Sequence, residues 1–147
     1  MEKRININEI EPQAYKAMFS LEALNTRASL PYSLIMLIKI RASQINKCAY
    51  CLDMHTKSAL GKGETNQRIF LLNGWHEAPT YFTEEERIAL AMTEEITNIS
   101  YGGLSDVTYQ KALKVFTENQ IAQIIMVIVT INSWNRIALS TKLEIEE

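Results

Sequence analysis

The chain has 147 residues, 47% of them hydrophobic, and a net charge of -2; this fits one globular domain over residues 1–147 with a substantial core, and gives no global electrostatic reason to bind nucleic acid or an anionic membrane surface. Only two cysteines occur, too close in sequence to staple distant parts of a fold, which argues against a secreted disulfide scaffold and for a reducing cytoplasm.

The N-terminus, Met1-Glu2-Lys3-Arg4 followed by Ile5-Asn6-Ile7-Asn8, carries charge but no long apolar stretch, so no signal peptide is expected. With five glycines and three prolines and apolar residues recurring mainly at helical spacing, the pattern predicts an all-α protein of about six to seven helices. Pro12 suits the first turn of a helix carrying Tyr15, Met18, Phe19 and Glu22 and ending before Pro31. From Pro31, Leu34, Ile35, Leu37, Ile38, Arg41 and Ile45 predict a second helix, apolar on more than one side and therefore buried, which Asn46-Lys47 breaks.

The third helix is expected to begin at or just before Cys48, with Cys48 in its first turn, and to run to about Leu60, where Gly61-Lys62-Gly63 stops it. A short helix from Thr65 to about Asn73 leads into a loop through Gly74-Trp75-His76-Glu77-Ala78-Pro79. Thr83 with Glu86 forms a capping box and opens a helix that ends near Tyr101-Gly102-Gly103. Ser105-Asp106 starts another helix to about Phe116. Thr117 with Gln120 is a second capping box, leading into Ile121 to about Leu139. This last helix is apolar on nearly every side, which makes it either a central helix or one that meets another subunit. Its longest apolar run, Ile124 to Val129, is too short to span a bilayer. The tail from Lys142 to Glu147 is charged and expected to fray.

The one compact cluster of reactive side chains is Cys48-Ala49-Tyr50-Cys51-Leu52-Asp53-Met54-His55. At about 100° per residue, Cys51 lies roughly 60° from Cys48 around the axis and His55 falls between them. All three share one face, and Cys51 and His55 are an i, i+4 pair. An adjacent imidazole, or the unpaired N–H groups and positive dipole end of a helix start, lowers a thiol pKa from its usual value of about 8.5. The outline is a redox site.

Other uses of these residues are possible. Cys48 and Cys51 can be small buried hydrophobes, or zinc ligands together with His55 and, as a conceivable fourth, His76; a single helix turn holding three ligands is not the usual knuckle. His55 can be a structural histidine. Tyr50 reads as packing or pocket wall, and His76 as a surface or interface residue.

Arg41-Ala42-Ser43-Gln44-Ile45-Asn46-Lys47-Cys48-Ala49-Tyr50-Cys51-Leu52-Asp53-Met54-His55-Thr56 is similar to the signature of the alkyl hydroperoxidase D branch of the carboxymuconolactone decarboxylase family. The similarity extends through Gly63-Glu64-Thr65, Leu71-Leu72, Trp75 with Glu77-Ala78-Pro79, Phe82-Thr83, Glu94-Glu95 and Ile131-Asn132-Ser133-Trp134-Asn135-Arg136. It implies an all-helical fold, assembly as a homotrimer or homohexamer, and a thiol-dependent peroxidase or disulfide reductase acting on a peroxide with a thiol or dithiol reductant. It implies no metal or organic cofactor. Carried over by position, Cys51 matches the cysteine that attacks peroxide, Cys48 the one that resolves the sulfenic acid, and His55 the histidine of the proton relay.

One position departs from that pattern. Twelve residues before the first cysteine, the peroxidase branch carries a glutamate that orients the histidine; here Met36 stands there, and a thioether neither accepts a proton nor holds an imidazole. Glu94 and Glu95, on a neighbouring predicted helix, are possible substitutes, whereas Asp53 falls on the far side of its helix from His55. Without a substitute, the chain reads as a redox-responsive or structural oligomer with little turnover. A lactone decarboxylase ranks lower, since that branch does not use a CxxC and no separate acid–base pair is evident.

Overall fold

The computed structural model describes residues 4–145. The charged opening at Met1-Glu2-Lys3 and the last two residues of the tail, Glu146 and Glu147, lie outside them. The described residues form eight α-helices and two short 3-10 helices, with no strand, so the all-α expectation holds.

A four-residue helix, α1 (Ile7–Ile10), precedes α2 (Pro12–Thr26). Sequence periodicity missed α1, which is only one turn long and is held by the Asn6 side chain capping Asn8 N–H at 3.0 Å. Pro12 occupies the first turn of α2, where its missing N–H breaks no intrahelical bond. Helix α3 (Tyr32–Ile45) follows Pro31 and is buried almost throughout from Leu34 to Ser43. It packs on α4 (Ala49–Leu60), α6 (Glu84–Thr97) and α8 (Glu118–Thr141), and is the central helix of the fold.

Between α4 and α6 run α5 (Asn66–Leu71) and a 3-10 helix, Leu72–Glu77. That 3-10 helix replaces the expected loop: Gly74 is its one residue off helical geometry, and buried Leu72 and Trp75 give the turn a packed face. The stop after α4 is as expected, with Gly63 at a φ of 96° that side chains rarely adopt. Both capping boxes are present, Thr83 with Glu86 before α6 and Thr117 with Gln120 before α8. Helix α6 ends at Thr97, earlier than expected, and a 3-10 turn, Ile99–Tyr101, carries the chain to Gly102 and then α7 (Asp106–Val115).

The core consists of Leu37, Ile38 and Ile40 of α3, Leu90 and Met92 of α6, and Ile124, Val127 and Ile128 of α8, all fully buried. Helix α8 thus buries one side against α2, α3, α4, α6 and α7. By length and composition alone it is apolar enough to cross a bilayer, although half of its most apolar stretch is already buried inside this chain. Met126, Val129 and Leu139 face outward. At the tail, Lys142 adopts a left-handed conformation that ends α8, and Leu143 packs against the buried cluster of Cys48, Cys51 and Ala138. The tail therefore takes part in packing as far as Leu143.

Candidate active site

The start of α4 is fixed by backbone geometry and a polar network. Lys47 has a φ of 57°, which turns the chain sharply out of α3, and Cys48 N–H donates to Ser43 O at 3.0 Å. Asn46 on that turn donates to Asn132 Oδ1 at 2.9 Å and Asn135 Oδ1 at 2.8 Å. Asn135 in turn donates to Ser43 Oγ at 3.0 Å. These bonds tie the α3–α4 corner to α8. The amides are buried or nearly so, where an unpaired group costs more than a satisfied one contributes.

Cys48 is the N-cap of α4 rather than a residue of its first turn, because its backbone is extended (φ -88°, ψ 94°). Its Sγ accepts from Cys51 N–H at 3.3 Å. Cys51 is the third helical residue, in the first turn at the positive end of the dipole, a setting that favours a thiolate. The two cysteines are joined as a disulfide with a Cα–Cα separation of 5.3 Å, within the usual span for such a bond. Each is only 1% exposed.

Between α2, α3, α4 and α8 lies a cavity of about 430 Å³. Cys51 and His55 line it, as do Met36 and Tyr50; Cys48 does not. Aromatic rings from two helices form an apolar wall, with Trp134 edge-on to Tyr15 at 5.4 Å and tilted against Phe19 at 5.7 Å. On the same wall Glu22 of α2 pairs with Lys39 of α3, and Trp134 Nε1 donates to Glu22 Oε2 at 3.2 Å.

His55 is 7% exposed, and its Nε2 has no hydrogen-bond partner. Burial pushes its pKa down to about 4, helped by the positive charge of Lys39 and opposed by the carboxylate of Glu22. With the disulfide formed, the imidazole is therefore neutral at pH 7.

The two acidic residues expected from sequence to replace a carboxylate at position 36 lie elsewhere. Glu94 accepts from Trp75 Nε1 at 2.8 Å, meets His76 Nε2 at 3.0 Å and pairs with Arg41 at 2.9 Å. Burial pushes its carboxyl up, but the bonds from His76 and Trp75 and the charge of Arg41 outweigh that and hold it below the usual range. Glu95 is engaged by Ser105 and Thr108. Neither lines the cavity. Asp53 pairs with Lys57 at 2.8 Å, and exposed His76 stacks on Trp75 with centroids 3.5 Å apart. Among the described residues no three His, Cys, Asp or Glu side chains gather as a metal site. Sequence reasoning missed Glu22 and Lys39 as cavity residues, because their pairing crosses from one helix to another.

These features define an all-helical dithiol protein, with a CxxC at a helix start, one of whose sulfurs faces an apolar cavity beside a buried histidine. The sequence profile of the carboxymuconolactone decarboxylase family matches residues 12–95, and the chain belongs to that family. It is 39% identical over 140 residues to the uncharacterised protein YdfG of Bacillus subtilis, covering 95% of each chain. A crystal structure from Agrobacterium tumefaciens superposes with a TM-score of 0.94 at 36% identity, covering 99% of both chains; it is of a protein of unknown function that has been suggested to be the antioxidant defence protein AhpD. The debrominase Bmp8 shares the fold alone, with a TM-score of 0.80 at 19% identity over 94% of this chain and 74% of its own.

Proposed function

We propose that the protein is a thiol-dependent peroxidase of the alkyl hydroperoxidase type, cycling Cys48 and Cys51 between dithiol and disulfide. The observation that carries this reading is that Cys51, and not its partner, lines the cavity together with His55. Cys51 is then the attacking sulfur. Its thiolate displaces the peroxide O–O bond, taking one oxygen as sulfenic acid while the other leaves as an alcohol after gaining a proton. The thiol of Cys48 attacks the sulfenyl sulfur, a disulfide forms, and hydroxide leaves with the thiol proton as water. An external thiol or dithiol restores the pair through a mixed disulfide. His55, one turn along from Cys51, serves as proton carrier.

The A. tumefaciens relative, suggested to act in antioxidant defence, supports the same reading. So does the place of Cys51 in the first turn of α4, at the positive end of the helix dipole, which favours the reactive ionised form. A reducing cytoplasm is the matching compartment, since it returns the disulfide to dithiol. Assembly as a homotrimer or homohexamer is part of the proposal, supported by the outward apolar side chains of α8, and light scattering on the purified protein tests it.

The second reading, a redox-responsive protein with little turnover, is favoured by one feature: the cavity wall carries a thioether at Met36. One experiment separates the two. Reduced protein is titrated with one equivalent of an organic hydroperoxide and followed by mass spectrometry, then assayed for dithiol-dependent turnover. The peroxidase reading expects the loss of two hydrogen atoms, abolished in Cys48→Ser and in Cys51→Ser, followed by multiple turnovers. Thiols that stay reduced overturn both readings, and oxidation without turnover selects the second.

A further inference from the structure

Glu22 is the one carboxylate among the described residues that line the cavity, whose other ionisable groups are Lys39, His55, three tyrosines and Cys51. It arrives from α2, a helix whose only buried residue is Asn25, yet its side chain is held at both oxygens. Oε1 pairs with Lys39 from α3 and Oε2 accepts from Trp134 of α8. Lys39 is itself 4% exposed, so without Glu22 its charge stands buried and uncompensated on the wall it shares with His55.

We propose that Glu22 is a positioning residue for His55: its carboxylate, pinned by Lys39 and Trp134, offsets the lysine charge, so that in the reduced protein the Cys51 thiolate can hold an imidazolium beside it. The inference rests on the dithiol reading given above. Three observations carry it. All five residues border one cavity. Glu22 is anchored from two other helices and is therefore set in place, unlike a loose surface carboxylate. His55 Nε2 has no partner of its own, so the charges on the wall decide the state of the ring. Burial and Lys39 oppose the protonated ring, and Glu22 alone favours it.

In the peroxide step this device acts on the leaving group. Cys51 sulfur bonds to one oxygen, the O–O bond breaks, and the departing alkoxide takes the imidazolium proton, leaving sulfenic acid, alcohol and neutral His55. Charge and atoms balance without a further reactant. A neutral His55 has no such proton to give.

The test uses Glu22→Gln, which keeps the side-chain length and one of the two oxygen acceptors, for Lys39 or for Trp134, while removing the charge. Two measurements are made on reduced protein: titration of the His55 ring by NMR, and the rate of disulfide formation with an organic hydroperoxide. We expect the His55 midpoint to move down by about one pH unit and the rate at pH 7 to fall by roughly tenfold or more. Met36→Glu, which places a carboxylate in the same cavity, should recover most of both losses in the Glu22→Gln background. An unmoved His55 midpoint overturns the proposal. If the parent protein is inert to peroxide and the His55 midpoint still moves as expected, the peroxidase reading falls and the role of Glu22 stands.

Discussion

Trp134 and Glu22 meet on one wall of the cavity at 3.2 Å although they lie 112 positions apart in the chain. The bond links the peripheral helix α2 to α8, and the Trp134 ring adds contacts with Tyr15 and Phe19 of α2. Trp134→Phe keeps an aromatic ring in the cluster and removes the N–H donor. Because the acceptor is charged, the expected loss of stability is about 1 to 2 kcal/mol, read from urea unfolding. Disulfide formation with peroxide should slow less than in Glu22→Gln, since Lys39 still holds the carboxylate. A variant as stable as the parent would mean that the bond contributes nothing.

The neutral His55 makes stability depend on pH. Its folded pKa, about 4, lies below the ordinary 6.5, so between those values the unfolded chain binds more protons than the folded one. The contribution is therefore full above pH 6.5 and is lost as pH falls toward 4. From pH 7 to pH 5 the oxidised protein should lose about 2 kcal/mol from this group. Glu94, whose carboxyl is held below its ordinary range, loses its contribution only in the more acid range below 4.5. Urea unfolding at pH 7, 6 and 5 checks this: His55→Gln should flatten the profile, and parallel curves for the two proteins would contradict it.

What could be read from the sequence was local. The capping boxes at Thr83 and Thr117 and the proline at the head of α2 each depend on residues within one turn, and all three are in place. Helix spacing likewise brings Cys51 and His55 to one cavity, whereas Cys48, expected on the same face, is the extended N-cap and does not line it. Glu22 did not stand out, because a charged residue on a helix has no partner until the helices are packed; Lys39 lies 17 positions away and Trp134 is on the last helix. Glu94 misled for the same reason. Its acidic character was visible, but not that Arg41, Trp75 and His76 converge on it from α3 and the 3-10 helix. The end of α6 and the 3-10 helix at Leu72–Glu77 were misjudged because burial, and not local propensity, decides them.

Glu94 should therefore matter for the fold and not for the thiols. Its carboxylate satisfies Arg41, whose side chain is 13% exposed, and the indole N–H of Trp75. Glu94→Ala leaves a largely buried guanidinium without its counterion and should cost about 3 kcal/mol. At pH 7 and a temperature where the variant remains folded, the alkylation rate of Cys51 should stay within about twofold of the parent, since Glu94 does not touch the cavity that controls that thiol. A folded variant with a much slower thiol would put Glu94 back among the groups acting on the site.

Cys48 has a structural role that can be separated from its chemistry. As the N-cap of α4 it accepts Cys51 N–H through sulfur, a weaker acceptor than the hydroxyl oxygen preferred at that position. Compared under reducing conditions, Cys48→Ser should match or exceed the stability of the parent, whereas Cys48→Ala should lose about 1 kcal/mol. Both variants remove the resolving sulfur. With peroxide, each should gain oxygen at Cys51 in place of losing two hydrogen atoms, and should advance to the sulfinic acid as the peroxide excess grows. Equal stability of the serine and alanine variants would show that the cap at position 48 carries no weight in holding the start of α4. Retention of disulfide-like mass loss in either would mean that Cys51 finds its partner in another chain.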